Sequence, residues 1–170
     1  MKRLSFLLIA SLNLSPIIAI ADDFYIEEKG LQPVSKSIDA AIRKTKDLDT
    51  SCKLIGKTIN LTGQGQKNDF VVTTANACEW AASAGPLWVV RGNGKTYKVV
   101  LSYLTYTLKL RNKKNNGLYA IQTSRGTASM YEIEFWSFTG KQYKKSKAYI
   151  FAADDKKTCK AHKDICPWQF

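Results

Sequence analysis

Histidine occurs once in the 170 residues, as His162, and acidic side chains number only 14 against 26 lysines and arginines. A single histidine leaves most of the chain without the usual general base for a nucleophile and without the commonest nitrogen ligand for a metal. No Gly-x-Ser-x-Gly, His-Glu-x-x-His, phosphate-binding glycine loop or dinucleotide fingerprint is present, so the enzyme classes these motifs announce are not signalled. Cys-x-x-Cys is also missing, and His162 is separated from Cys159 and Cys166 in a lysine-rich tail, a poor arrangement for zinc. Beyond the N-terminal stretch no apolar run approaches the ~20 residues a membrane span requires. Together these absences point away from a cofactor, a metal and an integral membrane span.

Residues 1–21 read as a secretory signal peptide. Lys2 and Arg3 give the positive start, an apolar run follows through Leu7, Leu8 and Ile9, and Ala19-Ile20-Ala21 supplies a small-residue cleavage site before Asp22. Ser11, Asn13, Ser15 and Pro16 interrupt the run too often for a membrane anchor. The expected location is periplasmic or secreted. Removing Lys2 and Arg3 leaves 24 basic residues against 14 acidic ones, a net charge of +10. Such an excess favours an acidic protein or an anionic envelope polymer as partner, and in an exported chain it argues against nucleic acid. Four cysteines in an oxidising compartment imply two disulfides. Of three pairings, Cys159 with Cys166 closes a short local loop and Cys52 with Cys78 ties the start of the core to the strand after it, and this pair of bridges is preferred.

Four regions are expected: the leader (1–21), an N-terminal lead with one helix (22–52), a β-rich domain of two similar units (53–151) and a basic tail with a local disulfide (152–170). The helix is placed at about residues 35–47, with Val34, Ile38, Ala41 and Ile42 on one face and Ser35 or Ser37 as cap. From Lys53 the pattern changes to short runs rich in Val, Ile, Tyr and Thr, bounded by Gly, Asn or Pro, which predicts antiparallel strands. In KVVLSYLTYTLKL the residues Leu104, Tyr106, Leu108 and Leu110 fall on one side by alternation. The fold class is therefore mainly β, with one N-terminal amphipathic helix (α+β). An internal echo runs through it: GQKNDFVVTT and LWVVRGNGKTYKVV are answered by NNGLYAIQTS and FWSFTGKQYKKS, with Trp88 and Trp136 in matching places.

The segment Asn60-x-Thr62-x-Gln64-Gly65, then Asp69 before Phe70-Val71-Val72, with the later FWSFTGKQY, resembles the secreted FG-GAP or VCBS-type repeats of integrin-α-like proteins. The resemblance covers about residues 54–145 and implies blade-like units with a calcium loop. Calcium prefers several carboxylates. This loop offers neutral Asn60, Thr62 and Gln64, with Asp69 one residue late, and the second copy sets Lys113 and Lys114 among Asn112, Asn115 and Asn116. The loops are thus expected to keep a calcium-loop shape without its charge.

The best carboxylate pair is Glu132 and Glu134, two residues apart on a strand, as a carboxylate hydrolase would need. Alternation with Tyr131, Ile133 and Phe135 marks them instead as a solvated face. No catalytic residue is expected. Partner-binding candidates are the cations assigned to turns, Lys67, Arg91, Lys95, Lys113, Lys114, Arg125 and Lys141, with Trp80 as an aromatic anchor outside a regular strand. The function expected is non-catalytic binding of an acidic protein or envelope polymer. The alternatives are a periplasmic inhibitor or immunity protein directed at a cell-wall-degrading enzyme, and the carboxylate hydrolase.

Overall fold

The computed structural model describes residues 23–45, 48–65, 68–163 and 165–166. The expected leader, Lys67 and Trp168 lie outside them. The first strand, β1 (Asp23–Tyr25), leads through β2 (Gln32–Pro33) into helix α1 (Lys36–Arg43). Ser35 caps α1 by accepting from the Ile38 amide, and Ile38 and Ile42, one helical turn apart, are its buried pair. The helix is shorter than the pattern predicts. Thr45 already folds back on the Ile42 carbonyl, and Arg43 reaches past the helix end to the carbonyls of Asp49 and Cys52.

Eight more strands complete the fold: β3 (Leu54–Thr58), β4 (Asp69–Thr74), β5 (Gly85–Gly92), β6 (Tyr97–Thr105), β7 (Thr107–Asn115), β8 (Leu118–Gly126), β9 (Met130–Phe138) and β10 (Tyr143–Ala152). They form two antiparallel sheets. The first has the order β2-β3-β4-β5-β6 and the second β1-β7-β8-β9-β10. Each is a four-stranded meander extended at one edge by a short N-terminal strand. The predicted long strand is divided at Tyr106, where the chain passes from one sheet to the other. The alternation does not survive that passage: Leu108 and Leu110 are buried, whereas Leu104 is exposed.

Facing sides of the two sheets share one core, with Val71, Leu87, Val89 and Leu101 from the first packed with Leu108, Ile121, Trp136 and Phe138 from the second. On the outer side of the first sheet, α1 covers Leu54, Val72, Trp88 and Val90. On the outer side of the second, helix α2 (Lys156–Ala161) and its disulfide cover Ile133 and Phe151. The result is four layers, helix, sheet, sheet, helix. The bridges are Cys52–Cys78 and Cys159–Cys166, the preferred pairing. Among the described residues no helix is long and apolar enough to cross a membrane.

The two echoing segments occupy corresponding strands, β4–β6 and β8–β10, yet their tryptophans face different layers. Trp88 packs under α1, while Trp136 points into the shared core. Registers explain this. Val71 pairs with Val89, and its counterpart Ile121 pairs with Trp136. Trp136 therefore stands where Val89 stands, and Glu134 stands where Leu87 stands.

Candidate functional site

Strand β7 is regular as far as Leu110, which pairs with Ile121, and resumes at Lys114, which pairs with Tyr119. Arg111, Asn112 and Lys113 thus oppose the single residue Ala120. Extra residues on one strand of a pair bend it and re-aim its side chains. Across the sheet, β10 carries its own irregularity between Lys145 and Lys147, opposite Trp136 and Phe135, and Ser146 donates to the Phe135 carbonyl. These two bulges bracket a cleft of about 590 Å3 on the outer face of the second sheet. Ala120 and Ser137 leave its floor low, and Lys109, Arg111, Lys113 and Lys147 stand round it. Its far end is closed by Tyr149, against which the ring of His162 packs at 4.8 Å.

Two of these cations are held by aromatic faces, which attract positive charge through the ring quadrupole. Arg111 lies 5.7 Å from the Phe135 centroid and donates from Nη1 to Gln122 Oε1 at 2.9 Å. Lys147 lies 4.3 Å from the Tyr149 centroid. Lys109 pairs with Asp23 at 3.4 Å. No carboxylate lines the cleft among the described residues, so its field is positive and suits an anionic ligand.

A second basic groove, about 350 Å3, opens at the end of the sandwich where the β5–β6 and β9–β10 turns approach each other. Arg91, Lys98 and Lys141 line it over Val100 and Phe138. Arg91 is fixed from below by Asp69, which is 3 % exposed, and stacks over Phe138. Burial raises the Asp69 carboxyl above its ordinary value, and Arg91 only partly opposes that rise. Burial, then the charge of Asp69, also holds the Tyr143 hydroxyl well above the usual phenol range.

The sequence-based contact set is therefore divided. Arg91 and Lys141 meet in the end groove, with Lys95 on the same β5–β6 turn, and Lys113 belongs to the cleft. Lys114 is used internally, donating to the Thr62 carbonyl and lying over the Tyr119 ring. Arg125 is paired with Glu132 at 2.6 Å. Trp80 is half-buried, its Nε1 donating to Thr74. The assignment of all these cations to turns is corrected: Arg91, Lys113, Lys114 and Arg125 lie in strands, where pairing rather than loop geometry orients them. Lys109, Arg111, Lys147 and Lys98 were missed; alternation through Lys109 and Arg111 was the available signal.

The loop at Asn60 closes on itself. Asn60 Oδ1 accepts from the Gly63 amide and Thr62 Oγ1 from the Gln64 amide, while Lys114 brings its ammonium to the Thr62 carbonyl. Asp69 is turned away into its contact with Arg91.

The solvated face assigned to Glu132 and Glu134 is also corrected. Glu134 is 1 % exposed and points between the sheets, where Lys145 donates to its Oε1 while its Oε2 is buried without a partner among the described residues. Around Ile133 and Glu134 both faces of β9 are covered, one by the first sheet and the other by the C-terminal helix, so alternation could not show which side was wet. Burial, then the nearby Glu134 carboxylate, holds the Tyr103 hydroxyl far above its ordinary value. Glu132 and Glu134 each have their own cation, and Glu134 is not open to a substrate. The exposed carboxylate pair from which the hydrolase alternative was drawn is therefore not what Glu132 and Glu134 form.

Comparison of the chain with protein-family models, curated proteins and solved structures returned no match.

Proposed function

We propose that this is an exported binding protein that engages an acidic protein or anionic envelope polymer through the cleft between the two bulges, with the end groove as an additional basic surface. One observation carries the reading: four cations line a single concavity with no carboxylate among its described lining residues. Two of them are held in place by rings, so less side-chain freedom is lost on binding. The two disulfides and the leader-like first 21 residues support a periplasmic or secreted location.

The test is titration with polyglutamate, comparing the wild type with Lys113→Glu/Lys147→Glu. Neither lysine forms a carboxylate pair among the described residues, so the fold should tolerate the change. Reversing two charges in the cleft is expected to weaken binding by about tenfold or more at low ionic strength, with the difference shrinking toward ~0.5 M salt. Equal affinity of the two proteins at low salt would refute the assignment.

A further inference from the structure

The cleft runs out onto the edge of the second sheet, and that edge is unlike the others. Among the described residues β1 and β2 are three and two residues long, and β6 continues directly into β7. Strand β10 is ten residues long, has one neighbour among the described residues, β9, and is exposed at Lys144 to Ala148 and at Ile150. Long open edges invite added strands, and proteins commonly blunt them with lysines and bulges. Here Lys144, Lys145 and Lys147 oppose pairing with a second copy by like charge, and the bulge at Ser146 interrupts the regular ladder. The stretch Lys147 to Ala152 remains in unbroken register with β9.

We infer that Lys147–Ala152 accepts an extended acidic segment of a protein partner as a sixth strand, with alternate side chains directed into the cleft. This rests on the proposed cationic cleft and specifies its ligand. The side-chain period of a strand sets the pattern. Lys147 and Tyr149 lie on the cleft side of β10, whereas Ala148 and Ile150 lie on the opposite side, where Ile150 is 68 % exposed. The incoming strand should therefore alternate acidic residues, facing Lys147 and the cleft, with apolar residues beside Ala148 and Ile150. Main-chain hydrogen bonds would supply affinity and the alternate side chains specificity. A random-coil polyanion satisfies only the charge.

The experiment uses the intact, oxidised protein and three probes: a blocked heptapeptide alternating glutamate and valine, the same peptide N-methylated at alternate residues, and polyglutamate. Binding is measured by calorimetry, and backbone amide exchange is followed across β10. The alternating peptide is expected to bind about tenfold or more tightly than its N-methylated form, because several ladder hydrogen bonds are lost in the latter. It should slow exchange within residues 147–152, and Ile150→Thr, an exposed change that spares the core, should weaken it severalfold. Equal binding of the methylated peptide, or binding without protection of β10, overturns strand addition while leaving the cationic cleft in place. Binding of polyglutamate in preference to the peptide does the same. Failure of every acidic probe removes both readings. A concentration-dependent dimer that protects β10 without peptide would assign the edge to a second copy and also overturn the inference.

Discussion

Replacing Lys145 with methionine removes the cation from a buried carboxylate while keeping a side chain of similar length. Breaking a fully buried ion pair by deleting one partner costs about 3–5 kcal/mol, because the remaining charge is stranded. Here the two ends differ: Glu134 is 1 % exposed and Lys145 46 %. Water at the lysine end should reduce the loss to about 2 kcal/mol. Glu134→Leu acts the other way. It places an aliphatic side chain where the matching strand of the first sheet has Leu87, and Lys145 is exposed enough to stay hydrated while lying over Tyr103 and Trp136. The change also removes the buried, unpartnered Glu134 Oε2 and buries apolar surface in its place. Glu134→Leu should therefore match the wild type within about 1 kcal/mol or exceed it, and the double variant should show a coupling of about 2 kcal/mol. Equilibrium urea unfolding of the oxidised proteins, with slopes compared, measures all three. A Lys145→Met loss below about 0.5 kcal/mol together with a Glu134→Leu loss above about 2 kcal/mol would refute the view that the carboxylate depends on its cation and could be replaced by apolar packing.

Three further outcomes are expected. Replacing both Cys159 and Cys166 with serine opens a loop with a sequence separation of 7, worth about 2.4 kcal/mol by chain entropy, and should speed tryptic cleavage around Lys156 to Lys160; an unchanged digestion rate would count against α2 being held by its bridge. Asp155 caps α2, and the hydrogen bonds from Thr158 hold its carboxyl below the ordinary value of 3.8; its contribution is present above that value and lost as pH falls through the lower folded value. Acid titration of α2, followed by amide exchange, should lose this component in Asp155→Asn, and identical profiles would refute it. Gly85→Ala would place a methyl 2.8 Å from Trp80 Nε1 and push the indole from Thr74, at a cost of about 1–3 kcal/mol by urea unfolding. The same change in a Trp80→Ala background should cost clearly less, and equal losses would exclude the clash as its cause.

Much of the architecture could be read from local pattern. Ser35 before Ile38 and Ile42 placed the helix, and runs of β-branched and aromatic residues bounded by glycine placed the strands, because capping and pleat are local effects. The bridges were accessible because short loops close readily and four cysteines in an oxidising setting leave few choices. The unreadable part depends on which layer covers which face. Alternation separates Glu134 from Ile133, but it cannot say that both sides of β9 are covered at these two residues. Nor does it announce a sheet change at Tyr106, which turned Leu104 outward. The cleft was hidden for a related reason: Arg111, Asn112 and Lys113 look like a loop in the sequence, and only their pairing opposite Ala120 makes them a bulge. Lys147 joins them from a strand more than thirty positions away. The short helix after Asp154-Asp155 was hidden by its lysines, since its apolar contacts are one cysteine and residues C-terminal to it.

Strand β1 sits against β7, where Asp23 and Lys109 are 86 positions apart in the chain. At about 5–20 residues per second, a growing polypeptide that has made the first of these waits roughly 4–17 s for the second. The hairpins of the first sheet need no such delay, since each strand meets the next one synthesised. The earliest strand is thus a late fastener: until it docks, β7 offers an unclaimed edge and Phe24 has no pocket. Anything that holds the first segment back, such as a bound chaperone, would leave a half-built sandwich whose exposed seam is the place where misassembly should begin.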